Sequence, residues 1–241
     1  MANLIEPNCA IPVNGGTMDG YAARPQNVDA RCGVLLFVEL WGMTPHMREV
    51  AERLAQAGHV AVVCDLFRGT TPPVPEDPLE KWASTFEEFD DVSCTNDCRR
   101  AANWLKGADS GMNVEHVFAW GFCMGGRFAH NLGALSDAVS GVINFYGRIN
   151  FPRMANKPFL PIELTGLIDK PYLGAFAETD GLIPHEDVAN LRAGLAGNKS
   201  AQIDVYPGTR HAFFNDHRDA YDASAAEAAW NKVLSFISEH S

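Results

Sequence analysis

Long hydrophobic runs are missing from this sequence. No stretch approaches the roughly 18 consecutive apolar residues that a membrane-spanning helix needs. The opening residues, with Glu6 and Pro7 close behind Met1, lack the basic segment and apolar core of an export signal. A cytoplasmic protein with no membrane contact is the expectation. Positive charge is scarce as well: 19 Lys and Arg face 30 Asp and Glu, a formal charge of −11. A nucleic-acid partner needs clustered cations on the phosphate backbone, so none is expected. Cysteine occurs six times, at 9, 32, 64, 94, 98 and 123, but never as C-x-x-C and never beside a second Cys or His pair at zinc spacing. A dithiol redox motif and a structural zinc site are therefore not expected. Cys94 and Cys98, four apart in a helical pattern, are read as packing on a helix face. Reduced thiols, no metal and no cofactor follow. Repeats, low-complexity stretches and linkers are absent too.

What is present describes one globular domain over residues 1–241, with 46% hydrophobic and 20% charged residues. Cys9 to Val13 and Thr17 to Ala23 flank Asn14-Gly15-Gly16 and read as a β-hairpin. Apolar, β-favouring runs follow at 33–40, 59–64, 117–120, 138–146, 171–177 and 201–206. Helical periodicity lies between them at 45–57, at 82–106 as one long amphipathic helix, after Gly126, at 186–196 and at 219–239. The four prolines of residues 69–78 mark a stiff loop able to wall a pocket, and 148–170 reads as irregular. Alternating strands and helices predict an α/β fold, a mostly parallel sheet covered by helices on both faces with an antiparallel hairpin at its N-terminal side.

The chain is organised around Val117 to Gly126, VFAWGFCMGG. A short apolar strand runs into G-x-C-x-G and then into a helical pattern, which is the nucleophile elbow of an α/β hydrolase with cysteine in the usual serine position. So tight a turn strains the nucleophile's backbone and needs glycines where chains pass closely. A cysteine at the first turn of a helix also sits where backbone N–H groups favour an anion. A cysteine simply buried at a strand end is the competing structural reading. The partners decide between them. Reactive groups in open parallel sheets collect beyond the C-terminal ends of strands, and Glu39, Cys123, Asp180 and His211 all fall there. Nucleophile, acid and histidine stand in α/β-hydrolase order. Alone, Asp180 reads as a solvated turn residue before Gly181 and His211 as a loop histidine. Together they read as an orienting acid and a proton carrier. Glu39 is a carboxylate in an otherwise apolar run, costly unless hydrogen-bonded, and is read as functional. The backbone N–H groups of Leu40 and Met124 are the candidate oxyanion donors, each typically worth about 10²–10³ in rate. Trp41, Trp82, Tyr146 and Phe213 are candidate pocket walls, with Trp82 balanced between wall and core.

With these motifs in hand, the sequence resembles the dienelactone hydrolase family of carboxymethylenebutenolidase-like α/β hydrolases. The resemblance rests on Glu39 in ELWG, on GFCMGGR, FYG, ETDGLIP and the late HAFFN, and spans nearly the whole chain. It implies a Cys123–His211–Asp180 triad acting on a small ester or lactone through an acyl-thioester. It also implies that Glu39 hydrogen-bonds the resting thiol and swings away when substrate binds, which would hold back ionisation and oxidation. Members that cleave dienelactones carry an arginine four residues after the catalytic histidine to grip the substrate carboxylate. That position is Asn215 here, leaving Arg210 and Arg218 as offset substitutes, and no second arginine aligns in 69–91, where Lys81 is the nearest cation. A short-chain carboxylesterase with neutral substrates, a peroxide-reducing thiol protein and a non-catalytic binding module on the same fold are the alternatives. The expected assembly state is a monomer or weak homo-oligomer.

Overall fold

The apolar runs of the sequence become the strands of one sheet in the computed structural model, which describes residues 3–26 and 30–241. The strands are β1 (Cys9–Val13), β2 (Gly16–Ala23), β3 (Cys32–Phe37), β4 (Val60–Cys64), β5 (His116–Phe122), β6 (Gly141–Phe145), β7 (Tyr172–Ala177) and β8 (Ala201–Tyr206). Their spatial order is β1-β2-β4-β3-β5-β6-β7-β8. β1 with β2 and β2 with β4 pair antiparallel, and every other pair is parallel. β3, β4, β6 and β7 are buried along their whole length, the expectation for strands covered on both faces.

The cover comes from α1 (Pro45–Gln56), α2 (Leu79–Glu88), α3 (Asp91–Lys106), α4 (Met124–Leu135), the short α5 (Pro161–Leu164), α6 (His185–Gly194) and α7 (Ala223–Glu239). Alternation along β5 sorts them. Phe118 and Trp120 pack on Phe236 and Trp230 of α7, and Arg53 of α1 stacks on that same Trp230 ring. α3 and α4 pack on each other and share the opposite face. Registers such as Phe37 opposite Gly121 and Phe122 opposite Phe145 bring the C-terminal ends of β3, β5 and β6 out along one edge.

Three expectations change. The helix read over 82–106 is two helices, because Phe89 (φ −59°, ψ 125°) and Asp90 (φ −83°, ψ 105°) are extended. The Asp90 side chain caps α3 by accepting from Ser93 N at 2.6 Å, and Lys157 Nζ donates to the carbonyls of Glu87 and Phe89 at 3.0 and 2.7 Å. The break is thus hydrogen-bonded on both sides. β3 stops at Phe37, so Glu39 lies on the turn beyond it, yet only 2% exposed. The last helix starts at Ala223, where Asp222 caps it by accepting from Ala225 N at 2.9 Å.

Candidate active site

Between β5 and α4, Cys123 takes φ 51° and ψ −114°, a left-handed backbone that costs a side-chain-bearing residue about 1–3 kcal/mol. The surroundings hold it there. Cys123 N donates to Phe145 O at 3.0 Å, and Gly126 N donates to Cys123 O at 3.1 Å. The flanking glycines are required by close approach. A Cβ on Gly121 would lie 2.1 Å from the Gly125 carbonyl oxygen, and one on Gly125 would lie 2.1 Å from that of Phe37. The elbow is therefore wedged against the end of β3, with its cysteine half-buried.

His211 and Asp180 meet beside it. His211 Nδ1 lies 2.7 Å from Asp180 Oδ2, whose carboxyl is 1% exposed. Asp180 Oδ1 accepts from Leu182 N at 2.8 Å and Ile183 N at 3.2 Å. Asp180 is a turn residue, but its carboxylate is aimed inward and fully bonded rather than solvated. His211 Nε2 is sealed from water without a formed hydrogen bond. Burial alone would lower the affinity of this imidazole for a proton. The adjacent Cys123 charge and the Asp180 hydrogen bond outweigh it and raise the pKa to about 10.

Glu39 does not reach toward the thiol: no hydrogen bond joins it to Cys123 among the described residues. Its Oε2 accepts from Asn215 Nδ2 at 2.8 Å and its Oε1 from the Tyr146 hydroxyl at 3.3 Å. The physical reason is the amide at position 215, a neutral donor placed where it can satisfy a buried carboxylate. Tyr146 is itself strained at φ 40°, and its ring centre lies 5.2 Å from that of His211. Burial, then the charges of Glu39 and Cys123, push its hydroxyl pKa well above the ordinary value. Sequence reasoning read Tyr146 as a wall and Asn215 as an absence. Both are hydrogen-bond partners of Glu39, a pairing between residues more than 100 positions apart that no local pattern carries.

The Leu40 N–H, on the turn after β3, has no hydrogen-bond acceptor among the described residues. That of Met124, at the first position of α4, has no intrahelical acceptor by geometry. Nearby, a cavity of about 170 Å³ is lined by Trp41, Pro73, Val74, Asn215, His217 and Arg218. Trp41 and Trp82 meet edge to face with ring centres 5.1 Å apart, and Trp82 Nε1 donates to Val74 O at 3.1 Å. Trp41 is the candidate wall that lines this cavity, and the others fall outside its lining. Phe213 is wholly buried and stacks on Phe145, so it props Tyr146 from the core side. Arg210 is exposed and donates to the Asp219 carbonyl, bracing its own loop. The guanidinium of Arg218 instead lies 4.8 Å over the Trp41 ring. A wider hollow of about 640 Å³, lined by Ala23, Arg24 and Glu52, lies toward the start of β4 and holds none of these groups.

Comparison with known proteins shows the family and the fold. The model of the dienelactone hydrolase family matches residues 18–241. A protein of Escherichia coli (strain K12) named "Putative carboxymethylenebutenolidase" is 30% identical over 234 residues, covering 96% of this chain and 86% of that one. A Bradyrhizobium protein named "Probable 2-oxo-3-(5-oxofuran-2-ylidene)propanoate lactonase" is 29% identical, covering 95% of this chain and 92% of its own. The crystal structure of a "Putative Dienelactone Hydrolase" from Klebsiella pneumoniae superposes with a TM-score of 0.86 at 28% identity, covering 95% and 96% of the two chains.

Proposed function

The chain belongs to the dienelactone hydrolase family, and from that premise we propose that it cleaves small esters or lactones with Cys123 as nucleophile, His211 as proton carrier and Asp180 as the acid that orients it. The observation that carries this reading is the 2.7 Å bond between His211 and Asp180 beside a cysteine held at φ 51°. The same fold carrying a binding module would have no use for a strained cysteine next to an aligned imidazole.

In the proposed cycle the thiol proton resides on His211, where the charge of Cys123 and the Asp180 bond favour it. The sulfur attacks the carbonyl carbon; a C–S bond forms as the carbonyl π pair moves onto oxygen. The N–H groups of Leu40 and Met124 receive that oxyanion. Collapse expels the alkoxide, which takes the proton from His211; in a lactone it stays tethered as the far end of the same molecule. Water then adds to the thioester, giving a proton to His211, and the C–S bond breaks to release the carboxylic acid and restore the sulfur. Glu39 serves as a positioning residue through Tyr146 and Asn215.

The lactonase name of the Bradyrhizobium relative favours a lactone, and the cavity of about 170 Å³ beside Trp41 and Arg218, which Cys123 and His211 do not line, would take a part of the substrate remote from the sulfur. The cation beside it is Arg218, so an anionic group on the substrate would meet Arg218 rather than residue 215. The test is a panel of anionic lactones and neutral short-chain esters assayed on wild type and Cys123→Ala. Turnover by wild type, its loss in the variant at unchanged Tm, and an acyl adduct on the Cys123 peptide by mass spectrometry are expected. Retained turnover in Cys123→Ala would remove the nucleophile assignment, and wild type inert on the whole panel would remove the ester and lactone reading.

A further inference from the structure

A further hollow, of about 500 Å³, is lined by Arg148, Asn150, Phe151, Gly181, Leu182 and Asp187. Its walls begin one residue beyond groups already placed at the site. Gly147, which precedes Arg148, lies against the first turn of α4, where a Cβ on Gly126 would come 2.6 Å from the Gly147 Cα. Asp180, which precedes Gly181, holds His211. Neighbouring Cα atoms are about 3.8 Å apart, so the hollow borders the proposed active site. The cavity beside Trp41 lies beyond β3 and this hollow beyond β6 and β7. The strand order β3-β5-β6-β7 puts Cys123, which follows β5, between the two.

The polar groups of this hollow brace one another and still have capacity to spare. Arg148 Nε donates to Asn150 O at 3.1 Å, and Asn150 Nδ2 donates to Asp187 Oδ1 at 2.7 Å. A carboxyl partner settles which end of the Asn150 amide is nitrogen. Arg148 Nη1 and Nη2, Asn150 Oδ1 and Asp187 Oδ2 then have no hydrogen-bond partner among the described residues. Donors and acceptors thus stand together, held in fixed relation by the chain Arg148–Asn150–Asp187. A loop arginine that only met water would need no such tether, and Arg148 is half-buried. Phe151 and Leu182 add apolar surface beside them.

We propose that this hollow receives the alcohol arm of an ester and that the arm is a neutral, hydroxyl-rich group, a sugar or another polyol. The assignment rests on the hydrolase reading of Cys123. A carboxylate arm accepts hydrogen bonds only, so it would leave the oxygens of Asn150 and Asp187 unanswered. A hydrocarbon arm would leave all four polar atoms unanswered. A hydroxyl both donates and accepts, and the C–H faces of a sugar ring pack on apolar walls such as Phe151 and Leu182. In the reaction the acyl carbon bonds to the Cys123 sulfur as its bond to the alcohol oxygen breaks. That oxygen takes the proton from His211 and leaves as the free polyol.

The test sets 6-O-acetylglucose against n-hexyl acetate, two acetates that differ in the hydroxyls of the alcohol arm. Wild type, Arg148→Met and Leu182→Trp are compared, with folding checked by circular dichroism. Leu182 is 50% exposed, so its replacement fills the hollow without disturbing the core. Wild type is expected to favour 6-O-acetylglucose in kcat/KM, and Arg148→Met to lower that preference about tenfold, through KM. Leu182→Trp is expected to lower it as well. Calorimetry needs no turnover: Cys123→Ala is expected to bind 6-O-acetylglucose about tenfold more tightly than Cys123→Ala/Arg148→Met. A wild type that favours n-hexyl acetate, or a preference and a Kd that Arg148→Met leaves unchanged, would overturn the proposal. Wild type inert on both acetates, with binding to Cys123→Ala that still depends on Arg148, would instead remove the hydrolase reading and uphold the hollow as a polyol site.

Discussion

At Glu39 a carboxyl group 2% exposed accepts from two neutral donors, Asn215 and Tyr146. Burying a carboxyl group costs energy unless its oxygens are hydrogen-bonded, and a carboxylate near a thiol opposes formation of the thiolate. Glu39→Gln keeps the shape and removes the charge, so Cys123 should react several-fold faster with iodoacetamide at neutral pH; an unchanged rate would show that the carboxylate does not act on the sulfur. Arg218 and Arg210 make a second comparison between neighbours. Arg218 lies on Trp41 at the cavity while Arg210 braces its loop. Arg218→Ala should raise KM about tenfold for anionic lactones and little for neutral esters, and Arg210→Ala should not discriminate. Equal effects of Arg218→Ala on both substrates would end its role as an anion grip. At this scale the sequence was informative where the proposed chemistry sits on punctuation: Cys123, Asp180 and His211 each follow a strand and lie in a turn-forming stretch. Asn215 and Tyr146 were opaque, because their role is to satisfy one distant carboxylate, and Phe213 was misplaced because a residue beyond a strand end can still point into the core.

The elements were legible wherever hydrophobic period changed abruptly, and this fixed all eight strands to within a few residues. The failure at 82–106 is instructive. Helical periodicity runs through Phe86, Phe89 and Cys98 without a glycine or proline to stop it, so the pattern reads as continuous. What breaks it is burial of Asp91. Its carboxylate is enclosed with two cations, Arg127 Nη2 at 3.4 Å and Lys157 Nζ at 3.6 Å, all three side chains wholly inaccessible. Lys157 also takes the carbonyls at the end of α2, and Arg127 stacks on Phe86 and Phe128. The junction of α2, α3 and α4 is therefore an electrostatic knot. Burial raises the pKa of Asp91, and Arg127 and Lys157 oppose that rise. Asp91→Asn removes the carboxylate that faces two buried cations, for which about 3–5 kcal/mol of destabilisation is expected in urea unfolding. A loss under about 1 kcal/mol would mean that the cations relax to solvent on their own.

For the molecule as a whole, the proposed active site is itself a source of pH-dependent stability. His211 in the folded chain is raised to about 10 from an ordinary value of 6.5, with burial working against the rise and Cys123 and Asp180 producing it. A group whose folded pKa is raised stabilises the fold fully below its unfolded pKa and loses that contribution as pH climbs through the folded one. The window is therefore about pH 6.5 to 10. Within it a single such proton changes stability by at most about 1.4 kcal/mol per pH unit. Replacing the imidazole by His211→Gln removes this proton but keeps an amide able to donate to Asp180. Urea unfolding of both proteins between pH 6 and 10.5 should thus show wild type losing stability more steeply than the variant, with the two curves converging toward the alkaline end. Parallel curves would mean that folding leaves His211 with no net excess proton over this range.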